Sequence, residues 1–206
     1  EGEGAKAGQP NVYLYETGEE CAAGELDFVA TLSGANDPGA YISIPVNHRS
    51  RVTPDGLHLA FMSQAPLTGF NSTDAASGEA DSQVFLYDAP GAAGGGEGGE
   101  LRCVSCNVTG ARPTGRDLYR GVTDFWAAAM IPGWENQWHA GRVLSSDGSR
   151  LFFESFESLV SRDTNAAQDV YQWERAGSEK ECVKDIGGEL FIAGSGGCLS
   201  LISPGK

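Results

Sequence analysis

Apolar and polar positions alternate along much of the chain, in short runs separated by turn-forming residues, and the same run is written twice. RVTPDGLHLAFMS (51–63) and RVLSSDGSRLFFES (142–155) each lead through polar residues into Asp-Gly and then alternate. That is the pattern of two antiparallel strands joined by a tight turn. Aligned on Asp55-Gly56 and Asp147-Gly148, Leu59 falls opposite Leu151, Phe61 opposite Phe153, Ser63 opposite Ser155 and Leu67 opposite Leu159, without a gap. A second signature follows: NVYLYE (11–16), QVFLYD (83–88) and DVYQWE (169–174). Period two sets Tyr13 and Tyr15, Phe85 and Tyr87, or Tyr171 and Trp173 on one face and Val12, Val84 or Val170 on the other, which predicts strands covered on both sides. A last strand is predicted after each, at 26–33, 100–106 and 198–203. The unit reads strand, Asp-Gly turn, strand, long loop, strand, turn, strand.

A repeated four-stranded antiparallel unit, apolar on both faces, is what a β-propeller blade requires, because each blade packs between two neighbours. The Asp-Gly hairpins running into LAFMS and LFFES resemble the blades of TolB-type, WD-repeat-like propellers. LVSRDTNAAQDVYQWE and LRCVSCNVTGARPTG resemble large exported propeller proteins of actinobacterial type. The resemblance implies an all-β fold, a partial β-propeller of four-stranded antiparallel blades, with about two and a half blades present. It divides the chain into the C-terminal half of a first blade (1–37), a second blade (38–107), an inter-blade insert (108–138) and a third blade (139–206). Since a ring takes about four to eight blades, it also implies missing blades of the same protein as partners, and the chain is expected to be a fragment.

Composition narrows the function classes. Twenty-nine glycines and nine prolines with 40 % hydrophobic residues suit a turn-rich β domain and are too apolar for a disordered chain. A formal charge of -14 repels phosphate backbones and anionic headgroups, so neither nucleic acid nor a membrane surface is expected as a partner. No apolar run approaches the roughly twenty residues of a membrane span. The first residues, EGEGAKAGQP, have neither an initiator Met nor a signal-peptide core, which fits a removed leader or a fragment. Of five cysteines, Cys103 and Cys106 have CxxC spacing without a second ligand pair for zinc, and read as a short disulfide. Cys182 and Cys198 flank a Gly-rich loop and are expected to close another, leaving Cys21 free. Disulfides place the protein outside the cytoplasm, extracellular or in the cell envelope or periplasm.

The candidate chemistry is sparse. Arg51 and Arg142 follow His48 and His139 on predicted inner strands, where a guanidinium could meet an anionic or carbonyl ligand; the histidines are expected to pack. Asp163, Asn165 and Asp169 hold positions one, three and seven of a loop, with Glu174 at twelve, which is suggestive of structural calcium. Ala167 and Gln168 stand where an oxygen ligand and a Gly belong, so turn capping is the expected role. Trp126, Trp134 and Trp138 crowd the insert and could stack on carbohydrate or grip a peptide. The alternative is that TDFWAAAM forms a short helix capped by Thr123 or Asp124 and stopped by Pro132-Gly133.

Ser195 in AGSGG lacks the strand-to-helix elbow of a nucleophile, and GAAGGGEGG joins two strands with neither Lys nor a helix to cradle phosphate. No catalytic residue and no resident cofactor are predicted. The expected function is a non-catalytic propeller scaffold or binding module for a protein or peptide. The alternative is the propeller part of a hydrolase, peptidase or glycosidase, whose catalytic residues lie elsewhere.

Overall fold

The computed structural model describes residues 4–17, 24–34, 37, 50–118, 125–132, 141–177 and 190–204. Among these residues every regular element is a strand. Strands β1 (Asn11–Glu16) and β2 (Glu25–Thr31) form an antiparallel pair. Strands β3 (Arg51–Val52), β4 (His58–Ser63), β5 (Gln83–Asp88) and β6 (Glu100–Cys103) form an antiparallel sheet in that spatial order, the predicted unit in full. Strands β7 (Arg116–Asp117) and β8 (Trp126–Ala127) make a small pair. Strands β9 (Ala129–Met130), β10 (Arg150–Ser155), β11 (Asp169–Arg175), β12 (Leu190–Ile192) and β13 (Gly197–Leu201) make a sheet ordered β12-β13-β11-β10-β9. No helix among the described residues is long and apolar enough to cross a membrane.

Over 125–130, the part of TDFWAAAM among the described residues, the helical alternative is not what forms. Trp126–Ala127 pairs with β7, and Ala129–Met130 pairs with β10. Alanine's helix preference is weak against available sheet partners. Here the Ser82 carbonyl accepts from the amides of Ala128 and Ala129, at 3.2 Å each, and the Ala128 carbonyl accepts from Phe156 N–H at 2.9 Å. The three alanines are fully buried, small enough to pass between two sheets.

The two Asp-Gly turns are built alike, atom for atom. Thr53 donates its hydroxyl to Asp55 Oδ1 (2.5 Å) and accepts from His58 N–H (3.0 Å), while Leu57 N–H also reaches Asp55 Oδ1 (3.1 Å). In the second copy Ser145 donates to Asp147 Oδ1 (2.6 Å) and accepts from Arg150 N–H (2.9 Å), and Ser149 N–H reaches Asp147 Oδ1 (3.1 Å). The Thr53 and Ser145 hydroxyls hold the two carboxyls below their ordinary range. Gly56 and Gly148 take φ of 77° and 65°, in the left-handed region. Open space surrounds Gly56, whereas a Cβ on Gly148 would overlap the His58 imidazole. Gly56→Ala is therefore expected to cost about 1 kcal/mol, and Gly148→Ala about 1–3 kcal/mol more for the overlap. Equal losses in urea unfolding would contradict the packing of Gly148 on His58.

A second device appears three times. The first residue of each aromatic strand accepts a hydroxyl from the end of the last strand: Thr31 to Asn11 Oδ1 (2.6 Å), Ser105 to Gln83 Oε1 (2.6 Å) and Ser203 to Asp169 Oδ1. Ser105 and Ser203 also accept the N–H of Val84 and Val170. Each clamp fixes the register of a strand pair, so the alternation falls with its apolar set inward.

The sheets stack face to face. Val12 and Leu14, with Val29, Ala30 and Leu32, pack against Phe61, Phe85 and Tyr87. On the other face of the same sheet, Ala60, Met62, Val84 and Leu86 pack against Leu151, Phe153, Tyr171 and Trp173. Stacked ring pairs stand at equivalent places, Phe61 with Phe85 (5.8 Å between centroids) and Phe153 with Tyr171 (5.9 Å). All six residues of β5 are buried. The outer face of the β1–β2 pair is open: Tyr13, Tyr15 and Leu26 are 45 %, 60 % and 63 % exposed.

Candidate functional site

One end of the stack gathers three connections: 64–82 between β4 and β5, 104–115 leading from β6 to β7, and 156–168 between β10 and β11. The segment from 104 to 118 is strapped across that end. Ala75 N–H donates to Pro113 O (2.8 Å), Arg112 Nη2 to Ala75 O (2.9 Å) and Gly115 N–H to Asp74 Oδ2 (2.7 Å). Past Gly115, exposed Arg116 lies 5.3 Å over the Phe156 ring and reaches Ala166 O at 3.5 Å. Trp126, half-buried, sits on β8 opposite Asp117, one register position from Arg116. Its carbonyl accepts from Ser82 N–H (2.9 Å) and Gln64 Nε2 (3.3 Å). The small pair thus carries a cation on one face and an indole on the other.

Of the other candidate residues, Trp134, Trp138, His48 and His139 lie outside the described residues. Arg51 is half-buried and spends its guanidinium on main-chain carbonyls: Nη1 on Ser50 O (2.8 Å), Nη2 on Pro132 O (3.0 Å) and Nε on Gly141 O (3.5 Å). It ties β3 to the chain on either side of 133–140. Arg142, next to Gly141, is exposed.

Asp163 and Asp169 are buried, and each has one oxygen fixed by a hydroxyl: Asp163 Oδ2 by Tyr171, Asp169 Oδ1 by Ser203. Asn165 Oδ1 caps the turn by accepting Ala167 N–H at 2.8 Å. Glu174 pairs with Arg150 (2.9 Å) inside the sheet, away from the twelfth position of a calcium loop. Among the described residues no group of three or more His, Cys, Asp or Glu is arranged to hold a metal ion. Burial, and then the hydrogen bond to Asp163, push the Tyr171 hydroxyl up.

Cys103 and Cys106 are bonded, with Cα atoms 5.5 Å apart. Cys198 is also disulfide-bonded; its expected partner Cys182, and Cys21, lie outside the described residues. Ser195 is fully buried, accepts the Trp173 indole N–H at 3.1 Å and donates to Ile192 O, so its hydroxyl pins a turn.

Two charged clusters escape the sequence reading. At one, Asp88 at the end of β5 takes His58 Nδ1 (2.6 Å), Arg102 Nη1 and Arg175 Nη2 (2.8 Å). The repeat itself could have found half of it, since register sets His58 opposite Asp88 just as it sets Arg150 opposite Glu174. The other is acidic: Asp74 and Asp81 before β5 and Glu157 after β10. Burial, then the charge of Asp74, push Asp81 up to about 8, and burial pushes Glu157 up too. Asp74 feels burial as well, but the N–H groups of Ser77 and Gly115 outweigh it and hold its carboxyl low.

No family model matches the chain, and no curated protein or solved structure is significantly similar to it.

Proposed function

We propose that the chain is a run of blades from a larger β-propeller of an exported or cell-envelope protein, and that it is a non-catalytic scaffold binding a protein or peptide at the end crossed by 104–118. The observation that carries this reading is repetition in three dimensions. Phe85 and Tyr87 are covered by Val12 and Leu14 of the preceding strands, and Tyr171 and Trp173 by Val84 and Leu86. Tyr13 and Tyr15 hold the same place in β1 and are exposed, the face a further sheet of this kind would cover. Disulfides suit an oxidising compartment. The β7–β8 pair offers a cation on one face and a partly open indole on the other, the residue types that anchor protein interfaces.

Peptides selected from a random displayed library on the immobilised chain are expected to lose tenfold or more in affinity, about 1.4 kcal/mol, on Trp126→Ala and on Arg116→Ala, with unfolding midpoints unchanged. Recovered peptides that bind both variants as tightly as the parent would remove this end as the binding surface.

A further inference from the structure

Asp81 is completely buried and neither of its oxygens meets a donor. Gly115 is packed directly onto it, so closely that a Cβ there would overlap Asp81 Oδ1. Glu157, also buried, leaves Oε2 without a partner and gives Oε1 to Asn107 Nδ2 at 3.3 Å. Asp74 is saturated: Oδ1 accepts Ala76 N–H (2.8 Å), Ser77 N–H (2.5 Å) and the Ser77 hydroxyl (2.9 Å), and Oδ2 accepts Gly115 N–H (2.7 Å). Arg112 turns to the main-chain carbonyls of Asp74 and Ala75. The charged groups that face Asp81 are thus Asp74 from its own connection, Glu157 from the loop after β10, and Arg112, behind Asp74, from the strap.

A fully buried carboxylate with no protein donor and two like charges beside it is too costly to keep ionised. Protonation relieves that cost, because a neutral carboxyl carries no charge to desolvate and none for Asp74 and Glu157 to repel. We infer that Asp81 holds a proton at neutral pH, and that only this neutral carboxyl lets Gly115 of the 113–117 strap pack directly on it at the junction of the two sheets; loss of the proton puts a buried charge beneath the strap and releases it with the β7–β8 pair. The proposal stands whether or not that pair binds a partner.

The direction of the pH effect follows. With its folded value raised to about 8 from 3.8, Asp81 is protonated in the folded chain and ionised in the unfolded chain between those limits. Stability from this group is therefore greatest at low pH and falls as pH rises through that window.

Melting temperature and amide hydrogen exchange across 111–118, corrected for the intrinsic rate, test this between pH 6.5 and 9.5. In the parent chain, melting is expected to fall and exchange to speed at least tenfold as pH rises towards about 8, and both are expected to level off above it. Asp81→Asn is neutral at every pH and is expected to flatten both curves. Glu157→Gln keeps the proton on Asp81 but removes one repelling charge, and should shift the transition to lower pH; it remains informative if Asp81→Asn does not fold. Parallel curves for parent and Asp81→Asn overturn the proposal. So does a melting temperature at pH 7 that drops with EDTA in the parent and not in Asp81→Asn, which would put a divalent cation where the proton is assigned.

Discussion

Replacing Asp88 with alanine is expected to lower the unfolding free energy by about 3–5 kcal/mol. The carboxylate is fully buried and is the shared acceptor of three basic side chains. Two of them, His58 and Arg102, belong to its own sheet. The third, Arg175, ends β11 of the next sheet and bridges both Asp88 oxygens at 3.0 and 2.8 Å. Removing Asp88 strands two guanidinium groups where water is scarce, and it cuts the polar bolt between two sheets. Arg102 retains Glu100 (2.6 Å) and Gly94 O (2.5 Å), and Arg175 retains Gly148 O (3.2 Å), so the lower part of the range is the better expectation. The equivalent Arg150–Glu174 pair, 53 % and 22 % exposed, is the internal control: Glu174→Ala should cost at most about 1 kcal/mol. Urea unfolding of the two variants measures the contrast, and similar losses would mean that the Asp88 cluster is hydrated.

The second large effect is expected at Trp173, where truncation to alanine should cost about 3–5 kcal/mol. The indole is fully buried in the interface between the two large sheets, with Arg175 5.5 Å from its ring centroid and Gly197 against its edge. Its N–H satisfies Ser195 in the turn between β12 and β13, so truncation empties a large volume and removes that donor together. Trp173→Phe separates the terms by refilling part of the volume without the hydrogen bond, and should recover more than half of the loss. A loss below about 2 kcal/mol for the alanine variant would mean that the sheets close over the cavity.

Strands β1, β5 and β11 were legible because aromatic and aliphatic residues alternate in them at period two, and the turns because Asp-Gly stands between two alternating runs. The β3–β6 sheet followed from those. The segment 125–131 was not legible as strand, since three consecutive alanines state a helix preference and the partner that overrides it is the main chain of Ser82, which leaves no trace in the sequence. Asp88 and His58 could be paired from register, but Arg175 could not. It stands one residue beyond the signature, where the earlier copy has Ala89, and its reach to Asp88 is set by how the sheets stack. Asp81 reads as an ordinary loop acid, because its burial depends on a glycine brought in from the strap. Trp126 was singled out for its company of tryptophans, yet its place opposite Asp117, on the face away from Arg116, comes from the β7–β8 pairing.

The Asp-Gly turns bear on how the molecule ages. Asp-Gly is the dipeptide most prone to cyclise to a succinimide and reopen as isoaspartate, a reaction in which the glycine nitrogen attacks a protonated aspartyl carboxyl. In both turns that nitrogen is occupied: Gly56 N–H is bonded to Thr53 O at 2.9 Å, and Gly148 N–H to Ser145 O at 3.1 Å. The carboxyls are held ionised by the hydroxyls beside them, which withholds the reactive form. The contacts that close the two hairpins therefore also guard their backbone against chemical damage, and a chain that opens these turns exposes both sites to it together.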